Sequence, residues 1–155
     1  MGVGSEFFND FFNEIKLRFY GASWVELQPF HIVSVKEGVY VNLLSVENSF
    51  TSQQLISLQT LYAQNGILLV HLWEDVWKQK KSQVLSRISS FCGLNQTLHA
   101  RKAKITIVDA AQARNFLTEH HLQGFSKAKF HLGLTMGGEL KAVGSFSSSR
   151  PMKSK

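Results

Sequence analysis

Residues 66–91, GILLVHLWEDVWKQKKSQVLSRISSF, decide how the rest of the chain is read. Gly66 precedes a short apolar run, Ile67-Leu68-Leu69-Val70, and helical spacing follows it. That order predicts a strand over 67–73, a turn at Glu74-Asp75 and a helix from about 76 to 91. On this helix Trp77, Val84, Ile88 and Phe91 return to one face, the stripe that a docked helix buries. Lys78, Lys80, Lys81 and Arg87 occupy the other face. Trp77 is expected in the core, and so is Trp73 at the end of the strand.

Upstream, Phe8, Phe11, Phe12, Ile15 and Phe19 predict an amphipathic helix over 6–20, stopped by Gly21. The leader 1–5 carries no structural signal. Residues 30–35 and 39–44 flank Lys36-Glu37-Gly38, which reads as a hairpin, with Pro29 at a strand start. Thr51 and Gln54 form a capping-box pattern. Leu55, Leu58, Leu61 and Tyr62 then give a helical stripe ended by Asn65-Gly66.

Downstream, Gly93 closes the basic helix, and residues 94–99 form a linker. Residues 103–108 alternate as a strand, and Asp109 with Gln112 marks a helix start. Ala113, Phe116, Leu117 and His120 share the face of that helix, and Gly124 ends it. Residues 130–136 and 139–146 are alternating strands joined by Gly137-Gly138, and residues 147–155 form a polar, basic tail. The fold class is therefore α/β (α+β): a small mixed sheet flanked by helices, plus a second small strand–helix–hairpin unit. The domains expected are 6–92 and 99–150.

Charge is distributed unevenly. Residues 1–75 hold three Lys and Arg against eight acids, whereas residues 76–155 hold fourteen against three. Between residues 76 and 108 there are seven basic residues and no acid. Such one-sidedness points to a polyanion, most often nucleic acid. The phosphate contacts expected are Lys78, Lys80, Lys81, Arg87, Arg101, Lys102 and Lys104, and DNA is the partner they imply. The single Cys92, beside Phe91, reads as a small core residue, and a reducing, cytoplasmic setting is the expectation. No apolar stretch reaches the roughly 20 residues of a membrane span, so no membrane partner is expected.

Chemistry is less marked. Glu74 and Asp75 stand at the end of a strand, where α/β folds commonly place ligands, and are the candidate catalytic acids. Two carboxylates there could hold Mg²⁺. The competing structural reading has Asp75 capping the next helix and Glu74 meeting its dipole. His71 reads as a satisfied core histidine. His120, His121 and His131 lack the spacing of a zinc site, so no metal site is expected. Nucleotide-loop, dinucleotide and serine-hydrolase motifs are absent from the sequence.

Two resemblances extend this reading. The stretch 55–88, with its NGILLVHLWEDVWKQK core, resembles the closing helix–strand–helix of very-short-patch-repair-type nucleases and their phage homing-endonuclease relatives, which have a PD-(D/E)XK, restriction-endonuclease-like fold. Ala100-Arg101-Lys102, Phe116-Leu117, His120 to Gly124, Leu132-Gly133-Leu134, Gly138-Glu139-Leu140, Ser145-Phe146 and Arg150 are similar to the acetyltransferase-like segment that often follows such nucleases in phage and mobile-element proteins. The resemblance implies that this second segment stops short after Arg150. It also implies metal-binding acids on the central hairpin, yet residues 29–46 offer only Glu37, in a turn. An aromatic–His signature expected between Ser45 and Thr51 is missing. The implied function is a DNA-binding, nuclease-like protein with an incomplete catalytic site and no cofactor. The alternatives are a metal-dependent endonuclease with an atypical acid set, which would take Mg²⁺, and an acetyltransferase-like fragment.

Overall fold

The structure is a computed structural model that describes residues 3–148. The chain divides into two compact units, residues 1–94 and 95–155. The last residues of the expected basic tail, including Arg150, lie outside the described residues.

In the first unit a helix, α1 (Val3–Arg18), precedes three antiparallel strands, β1 (Ser23–Leu27), β2 (Phe30–Lys36) and β3 (Val39–Leu44). Helix α2 (Ser52–Gln64) then returns the chain to β4 (Leu68–Trp73), which runs parallel to β3. Helix α3 (Glu74–Phe91) follows without a break. The sheet order is β1-β2-β3-β4, so the strand read first in the sequence is an edge strand.

Each helix boundary has a local cause. Thr51 and Gln54 form the complete reciprocal capping box of α2. At its other end Gly66 takes φ +72°, and Gly66 and Ile67 donate to Ala63 O and Tyr62 O at 3.0 Å each. This Schellman arrangement satisfies carbonyls that the helix leaves open. Gly93 and Leu94 close α3 in the same way, donating to Ser90 O and Ser89 O. Lys36 Nζ adds a bond to the Cys92 carbonyl at 3.1 Å, a cation at a helix C-terminus.

One face of the sheet buries α1 and α3. Phe11, Ile15, Val33, Val35, Leu43 and Trp77 meet there, each no more than 2% exposed. Cys92 belongs to this core, and burial pushes its thiol pKa up. On the other face Ile32 and Leu69 pack under Leu58 of α2. The mixed sheet flanked by helices is therefore as expected, with several local differences. Helix α1 begins inside the leader, and Phe7, outside the predicted stripe, is buried in its core. Leu61 lies on the outer side of α2 and is exposed. Glu74 and Asp75 are the first turn of α3 and not a separate turn. Trp73 is 39% exposed, because it is the last residue of an edge strand and has only the helix start beyond it.

The second unit opens with a 3₁₀ turn, Ala100–Lys102, before β5 (Lys104–Val108), α4 (Ala110–His120), β6 (Phe130–Met136) and β7 (Glu139–Phe146). The three strands form an antiparallel sheet in the order β5-β6-β7. Asp109 caps α4 by accepting from Gln112 N at 2.8 Å. Val108, Ala113 and His131 are buried on the helix side, where His131 Nδ1 meets Ser145 Oγ at 2.8 Å. Strand alternation puts Ile105, Ile107, Phe130 and Leu134 on the opposite face.

Candidate nucleic-acid interface

The parallel strands deliver Leu44 and Trp73 side by side to one end of the first sheet. A cavity of about 320 Å³ opens there, lined by Ser45, Val46, Glu47, Glu74, Asp75 and Lys78 among others. Glu74 is 4% exposed and both of its oxygens are engaged. Oε1 takes Lys78 Nζ at 2.6 Å, and Oε2 accepts from Val46 N at 3.3 Å. The Lys78 bond holds the Glu74 carboxyl below its usual range, against the opposing effect of burial. Asp75 is exposed and accepts from its neighbour Val76 N at 2.8 Å. The N-cap of α3 is Trp73, with no side-chain cap bond, so Asp75 does not cap the helix as expected. Glu74 acts instead as a tether between the 45–51 loop and the helix.

A second cleft of about 610 Å³, which shares Ser45 and Glu47 with the first, is lined also by Phe8, His31, Leu43, Asn48 and Phe50, with Glu47 as its one carboxylate among the described residues. Among the described residues no three His, Cys, Asp or Glu side chains gather so as to hold a metal ion. His71 is the satisfied core group expected. Its Nε2 faces Leu55 O at 3.1 Å, which requires a proton on that nitrogen. The bare Nδ1 then accepts from Asn42 Nδ2 at 3.2 Å, and among the described residues the buried Asn42 Oδ1 has no partner.

The expected phosphate contacts are divided between the two units. Lys78 is tied to Glu74. Lys81 lies 3.1 Å from Asp10 and 3.0 Å from Glu14, with its Nζ 5.1 Å from the centroid of the Trp77 ring. Lys80 is half-buried at a kink, where φ −136° and ψ 33° interrupt the helix. Arg87 is exposed and lies over the Phe91 ring. Arg101, Lys102 and Lys104 belong to the second unit and are exposed, and among the described residues no ion pair engages them. Divided by unit, residues 1–94 carry seven basic against eight acidic residues, and residues 95–155 carry ten against three. The change of sign at residue 76 falls inside the first unit, because α3 brings four basic residues and no acid after Asp75 to offset the acids before it.

One group of exposed residues was not singled out by the sequence. On the open face of the second sheet, Ile105 is 73% and Ile107 88% exposed. Phe130 and Phe146 are paired across β6 and β7, and their rings stack at 5.1 Å with 12° between planes. The alternation at 104–108 and the hairpin register carried this signal, but which face a lone helix leaves open is a tertiary matter. Comparison with family models, curated proteins and solved structures returned no match to this chain. Among the described residues no helix is long and apolar enough to cross a membrane.

Proposed function

We propose that this chain is a DNA-binding protein of nuclease-like build without a complete catalytic site, and that its second unit makes most of the phosphate contacts. The observation that carries the reading is the partition of charge: ten basic against three acidic residues in 95–155, beside a nearly balanced first unit. A compact unit with that surplus raises the local concentration of a polyanion and gains affinity by releasing its counterions. Arg101, Lys102 and Lys104 are the leading contacts, with Arg87 an exposed cation of the first unit. The order α1-β1-β2-β3-α2-β4, with β3 and β4 parallel, supports the nuclease-like part, since the resemblance implies a helix, strands and a helix ahead of that last strand. The paired state of Glu74 supports the absence of catalysis. A fluorescence titration of labelled DNA against salt tests the proposal. Binding should weaken linearly on log–log axes, with a slope of about −0.9 per phosphate contacted for duplex. A flat response would overturn it.

A further inference from the structure

The open face of the second sheet points to what kind of DNA is held. We infer that it is a stacking platform for unpaired bases, with Phe130 and Phe146 as its centre. The inference rests on the reading of the chain as DNA-binding and adds the strandedness of the ligand.

The face is apolar inside a strongly basic unit. Phe130 is 47% and Phe146 45% exposed, and Ile105, Ile107 and Leu134 extend the surface across all three strands. Helix α4 packs on the side of Val108 and His131, which leaves this face without an internal partner among the described residues. A duplex would gain nothing from it, because its bases are already stacked inside and its phosphates would meet isoleucines. An unpaired strand offers both halves of the match: bases with free π-faces for the rings and phosphates for the surrounding cations.

The cations are suitably placed along the chain. Lys129 directly precedes Phe130, and its backbone N donates to Phe146 O at 2.8 Å, closing the end of the sheet where the two rings lie. Arg101 and Lys102 lead into β5, just ahead of Ile105. The ring of Phe146 depends on a glycine beside it. A Cβ on Gly144 would come within 3.1 Å of the Phe146 Cε2, so the missing side chain lets that ring lean over the sheet. Stacked on Phe130, it makes an aromatic pair whose rings are both close to half exposed.

The test uses the full chain, a labelled thymidine oligonucleotide of about 12 nucleotides and a duplex of similar length. The double substitution Phe130→Leu, Phe146→Leu keeps the surface apolar and removes the π-faces. It should weaken oligonucleotide binding about tenfold or more while leaving the salt slope and duplex binding unchanged. Phe130→Trp, the stronger stacker, should bind at least as tightly as the unaltered chain, and the oligonucleotide should quench the added fluorescence. Unchanged oligonucleotide affinity in the double variant overturns the platform while DNA binding itself stands. Absence of binding by the unaltered chain at low salt overturns both. If the double variant fails to fold, Phe130→Trp decides: weakened binding, or fluorescence blind to the oligonucleotide, overturns the inference. Sedimentation supplies a last arm, since a dimer that the double variant loses without any change in oligonucleotide affinity would assign the face to a second copy of the chain.

Discussion

The indole N–H of Trp77 donates to Asp10 Oδ2 at 2.8 Å, joining α3 to α1 across 67 positions of sequence. The ring is 2% exposed, meets Phe11 edge-on at 5.0 Å and carries Lys81 beside it. Its single polar atom is satisfied by this carboxylate, and the bond is the main cause that lowers the pKa of Asp10.

Trp77→Ala should therefore cost roughly 3–5 kcal/mol of stability, as for other large core aromatics. Trp73→Ala, at a partly exposed ring, should cost much less, under about 1 kcal/mol. Urea melts of the two variants check the difference. Equal destabilisation would place Trp73 in the core after all.

The salt slope separates the two groups of cations. Replacing Arg101, Lys102 and Lys104 with Gln should flatten the duplex slope by about 0.9 for each phosphate that is no longer neutralised. The same change at Lys78 and Lys81 should leave the slope nearly intact, because these ammonium groups already face Glu74, Asp10 and Glu14. A larger effect from the second pair would return the binding surface to α3.

Duplex DNA should remain uncut in Mg²⁺ or Mn²⁺. Glu74→Gln should lower the melting temperature, since it leaves Lys78 without its partner and weakens the tie to Val46, and should change no cleavage rate. Metal-dependent nicking that Glu74→Gln or Asp75→Asn abolishes would show the acids to be ligands.

Acid should destabilise the first unit in two stages. Burial lowers the pKa of His71, so the unfolded chain binds the extra proton first and stability falls as pH drops below about 6.5. Glu74 is lowered mainly by Lys78, so its contribution is complete above the ordinary carboxylate value of about 4.3 and is lost as pH falls through its folded value. His71→Gln should flatten the upper stage and leave the lower one. Melting temperatures across pH 7 to 3 test this, and a His71→Gln curve parallel to that of the unaltered chain would remove the histidine from the account.

Much of the backbone plan was legible in local chemistry. The capping box at Thr51, the Gly137-Gly138 turn and the Asp109 cap are short-range signals, and each operates as the sequence implied. What escaped was whatever depends on partners distant in sequence. Lys81 looked like a free cation because Asp10 and Glu14 lie some 70 residues away, on a helix whose packing the spacing of charges could not convey. Trp73 looked buried because an apolar strand gives no sign that it will end a sheet edge. The aromatic platform escaped for the same reason: alternation names two faces and does not say which one a single helix will cover.

Asn42 and His71 are direct register partners in β3 and β4. Their neighbours on the same face, Tyr40 with Leu69 and Leu44 with Trp73, are mostly apolar and would tolerate a slide of two residues, which keeps every side chain on its own side. The amide–imidazole–carbonyl chain would not. Shifted by two, the buried Asn42 amide and the half-buried His71 ring lose each other, at a cost of about 1–3 kcal/mol for the buried amide. Two strands separated by a whole helix thus carry a lock and key within their hydrophobic surface, and the parallel pair has one alignment in which it can close.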